Sequence, residues 1–103
     1  MSRVKSPLEV RALRLKEVAS EAREQLGREL FEVTRIDLLM GEEAVKGFTS
    51  LTILPPRPLD LRETAAARRL VGQLTGAGLR CEWEPRRTAG TDGPALYALV
   101  INW

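Results

Sequence analysis

Residues 7–46 read PLEVRALRLKEVASEAREQLGRELFEVTRIDLLMGEEAVK, and the spacing of their apolar positions decides the fold. Leu8, Ala12, Leu15, Ala19, Ala22, Leu26, Leu30, Val33, Met40 and Ala44 recur three or four residues apart, interrupted only by Asp37. That period places them on one face of a single helix. Ser6-Pro7-Leu8-Glu9 supplies its start: Ser6 can cap the free amide near Glu9, Glu9 can reach back, and Pro7 fits the first helical position. Lys46-Gly47 supplies its end. A helix over 7–46 would be roughly 60 Å long at 1.5 Å per residue, whereas a compact domain of this size has a radius of gyration of about 13 Å. Part of the stripe is therefore expected to reach beyond its own domain and to need a partner.

The stripe changes character along its length. From Leu8 to Gln25 it is narrow, with Glu17, Glu21, Glu24, Arg14 and Arg23 on the other faces, which suits contact with one other helix. Further on, Phe31, Ile36, Leu38, Leu39 and Val45 widen it, which suits burial in a core. The expectation is a protruding or partner-binding half over 7–29 and a compact part over 30–103, within a single domain over 1–103. Gly27 and Gly41 each cost a continuous helix about 1 kcal/mol relative to alanine. Two rival parses follow: a strand over Phe31 to Leu38, and a kink near Gly27 that folds the helix back as a hairpin.

Downstream, Phe48 to Leu54 reads as a strand stopped by Pro55-Pro56. Asp60-Leu61-Arg62-Glu63 reads as a helix start, and Leu61, Ala66, Ala67, Leu70, Val71 and Leu74 form the core face of that second helix. Gly76 and Gly78 end it. Leu79 to Glu84 alternates, with Leu79, Cys81 and Trp83 on the core side. Arg86 to Pro94 is a polar loop with a turn at Asp92-Gly93, and Leu96 to Trp103 is a strand apolar on both faces. The expected fold is α+β: a long N-terminal helix, then β-α-β-β. The most apolar strand, the last, lies centrally in a three-stranded mixed sheet of order 2-3-1, with the helices on one face.

The 103 residues carry 16 basic and 14 acidic side chains, a net charge of +2 that gives no general pull toward nucleic acid or anionic membrane. No apolar run approaches a membrane span, and the first residues lack the apolar segment of a signal peptide, so neither membrane nor secretion is expected. A single cysteine, Cys81, allows no internal disulfide and fits synthesis in the cytoplasm. Only 3 of the 16 basic residues are lysine and side-chain amides are scarce, a usage that codon bias explains most simply and a thermophilic origin would also suit.

The chain has no histidine, which removes the commonest general base, Ser-His-Asp and Cys-His catalysis, and histidine metal sites. One cysteine cannot build a thiolate zinc site, and Cys81 on a core face behaves as a small hydrophobe. Gly76-Ala77-Gly78 follows a helix and precedes a strand, the reverse of a phosphate-binding loop. Neither catalytic, cofactor nor metal residues are therefore assigned, and no small-molecule substrate is expected. Arg80, Arg86 and Arg87, with Trp83, Tyr97 and Trp103 nearby, form a candidate single-stranded nucleic-acid surface. Glu82 and Glu84 oppose it locally, and this reading ranks third.

Gly47-Phe48-Thr49-Ser50-Leu51-Thr52-Ile53, Gly78-Leu79-Arg80-Cys81 and Val100-Ile101-Asn102-Trp103, together with the charged N-terminal helix, resemble a loose group of small, mostly uncharacterised bacteriophage proteins. The Pro55 to Pro58 insert and the Arg86 to Pro94 loop depart from that pattern. The resemblance carries no catalytic residue. It implies a phage-encoded virion component or a binder of a host protein. The leading expectation is thus a non-catalytic structural or interaction protein of the virion, engaging a protein partner or itself through Leu8, Leu15, Val18, Ala22 and Leu26. A regulator that binds one host protein ranks second.

Overall fold

The computed structural model describes residues 6–86 and 96–103. The first helix, α1 (Pro7–Leu30), begins where the sequence places it: Ser6 is extended and its Oγ accepts the Glu9 amide at 3.1 Å, with Pro7 at the first helical position. It does not run on to Lys46. Phe31 leaves helical geometry, Glu32 is extended at φ −68° and ψ 125°, and a separate α2 (Val33–Val45) follows. The Arg35 guanidinium donates to the Leu30 carbonyl at 3.1 Å, covering one of the acceptors that the break releases. The single helix over 7–46 is thus corrected to two. Neither the strand over Phe31 to Leu38 nor the fold-back at Gly27 occurs.

Side-chain direction explains the break. On one continuous helix Ile36 would sit about 120° around the axis from Leu30, so both could not face one core. Extending Glu32 redirects the chain, and Phe31 (3% exposed), Ile36 and the half-buried Leu30, Leu39 and Met40 then share one cluster. The breadth expected of the second half is only partly buried, however. Leu38 and Val45 lie on the outer side of α2, exposed, and Val33 is half-exposed at its start, beside Phe31 and Leu70 of α3.

The remaining elements are β1 (Ser50–Ile53), α3 (Ala65–Gly76), β2 (Arg80–Arg86) and β3 (Leu96–Asn102). Both α2 and α3 end in the same way, with a glycine at φ +94° (Gly47, Gly78) after the last turn. The following amides, Phe48 and Leu79, each donate back to the carbonyls of Glu43 and Leu74 at 3.0 Å. This closure requires a left-handed residue and so favours glycine. The start of α3 differs from expectation: Thr64, not Asp60, is the cap. Its Oγ1 accepts the Ala67 amide at 3.3 Å and donates to the Leu61 carbonyl at 2.7 Å.

Asp60 instead binds Arg62, accepting from its backbone N–H at 3.1 Å and its guanidinium at 2.9 Å, and that guanidinium lies 3.6 Å from the centre of the Tyr97 ring. The side-chain hydrogen bond from Arg62 holds the Asp60 carboxyl below its ordinary value. A carboxyl lowered on folding contributes stability above the ordinary carboxylate range and loses it as pH falls through the lowered value. An NMR titration of the Asp60 carboxyl should therefore give a midpoint below that of Asp60 in an Arg62→Gln variant.

The sheet has the order β1-β3-β2, with β3 central as expected. Both pairings are antiparallel, so the sheet is antiparallel rather than mixed; β1 and β2 run in the same direction but never touch as neighbours. The register aligns Leu51, Ile101 and Cys81 in one row and Ile53, Leu99 and Trp83 in the next. These rows face Leu61, Ala67, Leu70 and Leu74 of the α3 region and Ile36 of α2, forming a single core on one side of the sheet. Phe31 meets Trp83 edge to face, with ring centres 5.8 Å apart and an interplanar angle of 87°, which ties the α1–α2 junction to β2.

Candidate interaction surface

α1 is fastened to the domain only near its C-terminal end. Gly27 is its one fully buried residue, and it lies against Thr64 of the α3 cap. A Cβ built on Gly27 would come within 2.8 Å of the Thr64 Oγ1 and 3.0 Å of its Cβ, so the two helices approach more closely than any side chain there would permit. One turn earlier, the Glu24 carboxylate accepts the Ala65 amide at 3.1 Å. An α1 side chain thereby satisfies an open N–H at the start of α3, where a negative charge is favoured. Leu26 and Leu30 pack half-buried on the core beside this joint.

From the joint toward Pro7 the helix projects away. α1 has 24 residues, roughly 36 Å of helix. The molecule measures 65 × 34 × 17 Å with a radius of gyration of 17.6 Å, well above the roughly 13 Å of a compact chain of this length. Leu8 is 81% exposed, Leu15 50% and Val18 46%, and Val10 and Leu13 are also exposed. Ala12, Ala19 and Ala22 are exposed between them. Of the residues expected to form the partner-binding stripe, Leu8, Leu15, Val18 and Ala22 lie on this projecting part, whereas Leu26 sits at the joint, shared with the domain's own core.

The candidate nucleic-acid residues are arranged differently from a stacking platform. Arg80 and Arg86 project from the face of β2 that carries Glu82 and Glu84, and Arg86 pairs with Glu84 at 3.5 Å. Trp83 and Tyr97 lie on the opposite, helix-covered face. Arg80 and Arg86 are thus separated from those two rings by the sheet, whereas the exposed Trp103 lines a pocket with Arg80. Arg87 lies outside the described residues, as does the turn at Asp92-Gly93. Cys81 is half-buried in the row with Leu51 and Ile101, and burial pushes its thiol up, away from the reactive thiolate. Among the described residues no group of histidine, cysteine, aspartate or glutamate side chains could hold a metal ion, and no helix is long and apolar enough to cross a membrane.

Sequence reasoning missed the joint itself. Gly27 looked like a weakness in the helix, but it is the contact that fixes the direction of α1. A glycine inside an otherwise strong helical pattern was the available signal, since such a residue often marks a close approach. A second exposed apolar strip, Leu38 and Val45 with Gly41 between them, was also missed, because local spacing cannot tell which side of α2 the sheet will occupy. Neither a protein family, nor a curated protein, nor a solved structure matches this chain.

Proposed function

We propose that this chain is a non-catalytic assembly protein that binds a protein partner through the projecting part of α1. The observation that carries this reading is the exposure of Leu8, Leu15 and Val18 on a helix that leaves its own domain. A monomeric helix held in water gains nothing from a leucine-and-alanine seam, and most helical stability comes from packing an apolar face. The surrounding charges, including the Arg14–Glu17 pair at 3.4 Å, keep the remainder of the helix solvated. The resemblance to small bacteriophage proteins makes a virion the setting we propose. Mass spectrometry of purified particles tests that setting separately.

Leu15→Asp tests the surface. It should weaken association about a hundredfold, because a carboxylate would be buried in the centre of the contact. Helical circular dichroism and the denaturation midpoint of the isolated chain should stay as in the unaltered protein. A large fall in the midpoint would place Leu15 in the core and defeat the reading.

A further inference from the structure

The seam of α1 has a pattern that specifies its occupant, and we infer that the partner is a second copy of this chain, paired antiparallel along α1. The inference rests on the preceding assignment of α1 as the association surface. The seam runs Leu8, Ala12, Leu15, Ala19, Ala22, Leu26, large at both ends and at Leu15 and small elsewhere. In the antiparallel register that sets Leu8 opposite the second copy's Leu26, Ala12 falls opposite Ala22 and Leu15 opposite Ala19. The two middle layers then each match a leucine with an alanine, while the outer layers stack leucine on leucine and alanine on alanine, as they also would in a parallel pair. A parallel pair would stack leucine on leucine at Leu15 and alanine on alanine at the two layers that follow it.

Charge selects the same orientation. Flanking the seam on one side are Glu9, Lys16 and Arg23, and on the other Arg11, Val18 and Gln25. Antiparallel pairing brings like flanks together, so Glu9 meets Arg23 of the second copy, twice by symmetry, and Val18 meets Val18 near the axis. The unfavourable contact is Lys16 with its own copy. Parallel pairing instead sets Arg11 against Lys16 twice and offers no attractive pair in exchange. At the domain end the seam is shared: Leu26 packs half-buried on its own core, so the second copy's Leu8 meets only its open side, while Gly27, which meets Thr64, lies about 100° around the helix from Leu26.

The test uses the full chain carrying Cys81→Ala, with single cysteines at Ala12 and Ala22, positions that are exposed. Mixed under reducing conditions and then oxidised, the Ala12→Cys and Ala22→Cys proteins should form a mixed disulfide dimer, while Ala12→Cys alone should not. Dimers of Ala12→Cys alone would overturn the antiparallel arrangement. Sedimentation should show a dimer of the unaltered chain. Glu9→Arg should raise its dissociation constant on the order of tenfold at low salt, and Glu9→Arg with Arg23→Glu should restore it. A monomer at high micromolar concentration would overturn self-pairing yet leave the surface assignment standing. That assignment falls only if Leu15→Asp unfolds the isolated chain.

Discussion

Leu99→Ala should destabilise the domain by about 3–4 kcal/mol in a denaturant titration. Leu99 is fully buried on the central strand, between Ile53 of one neighbour and Trp83 of the other, and beneath the α3 face. Truncating it leaves a void that strands held on both edges cannot close, so the cavity cost adds to the lost transfer energy. Domains of this size are stable by roughly 5–15 kcal/mol, so the loss is a large share of the total. Val100→Ala is the control, because Val100 points to the other face and is only half-buried. It should cost about 1 kcal/mol or less. Equal effects at the two positions would contradict the alternation that assigns one face of β3 to the core.

The second large effect belongs to Gly27. Gly27→Val should destabilise by about 2–3 kcal/mol, despite replacing the residue with the poorest helix propensity short of proline. The added Cβ alone would overlap the Thr64 hydroxyl, and that hydroxyl is pinned by its bonds to Ala67 and Leu61. Either the α3 cap opens or α1 swings away and gives up the Glu24 bond to Ala65. Gly27→Ala is the sharper comparison. Propensity alone gives a gain of about 1 kcal/mol, so a measured loss isolates the close approach. Adding Thr64→Ser, which keeps the hydroxyl but removes the methyl that would lie 3.2 Å away, should recover part of that loss in a double-mutant cycle. Independent effects would mean the helices do not touch there.

These two positions also mark how far the sequence could be read. Leu99 belongs to a strand whose two-sided apolar composition already announced a central place. Gly27 gave only a propensity penalty, because the identity of the residue across a helix crossing is not local information. The same divide runs through the site. The stripe on Leu8, Leu15, Val18 and Ala22 was legible as period, but its projection was expected from the length of one helix over 7–46, which the structure divides in two. The position of the domain's edge, at Glu24 and Gly27 rather than at Leu30, was set by Thr64 and Ala65, some 40 residues downstream.

What the sequence by itself determined is whatever depends on neighbours in the chain. The Ser6-Pro7 start, the glycine stops after α2 and α3, the inward row of β2, and the absence of histidine chemistry all follow from local residue order. Capping, left-handed termination and strand alternation each act within a few residues. Only the tertiary structure decided where the long stripe divides. No proline or glycine stands at Phe31-Glu32, and helix propensity alone would carry the chain through. The division comes because Phe31 must meet Trp83 and Ile36 must meet the sheet, while Leu26 and Leu30 remain with α3. A straight helix points those side chains in incompatible directions, and burial of several large apolar groups outweighs the few backbone hydrogen bonds lost at one extended residue.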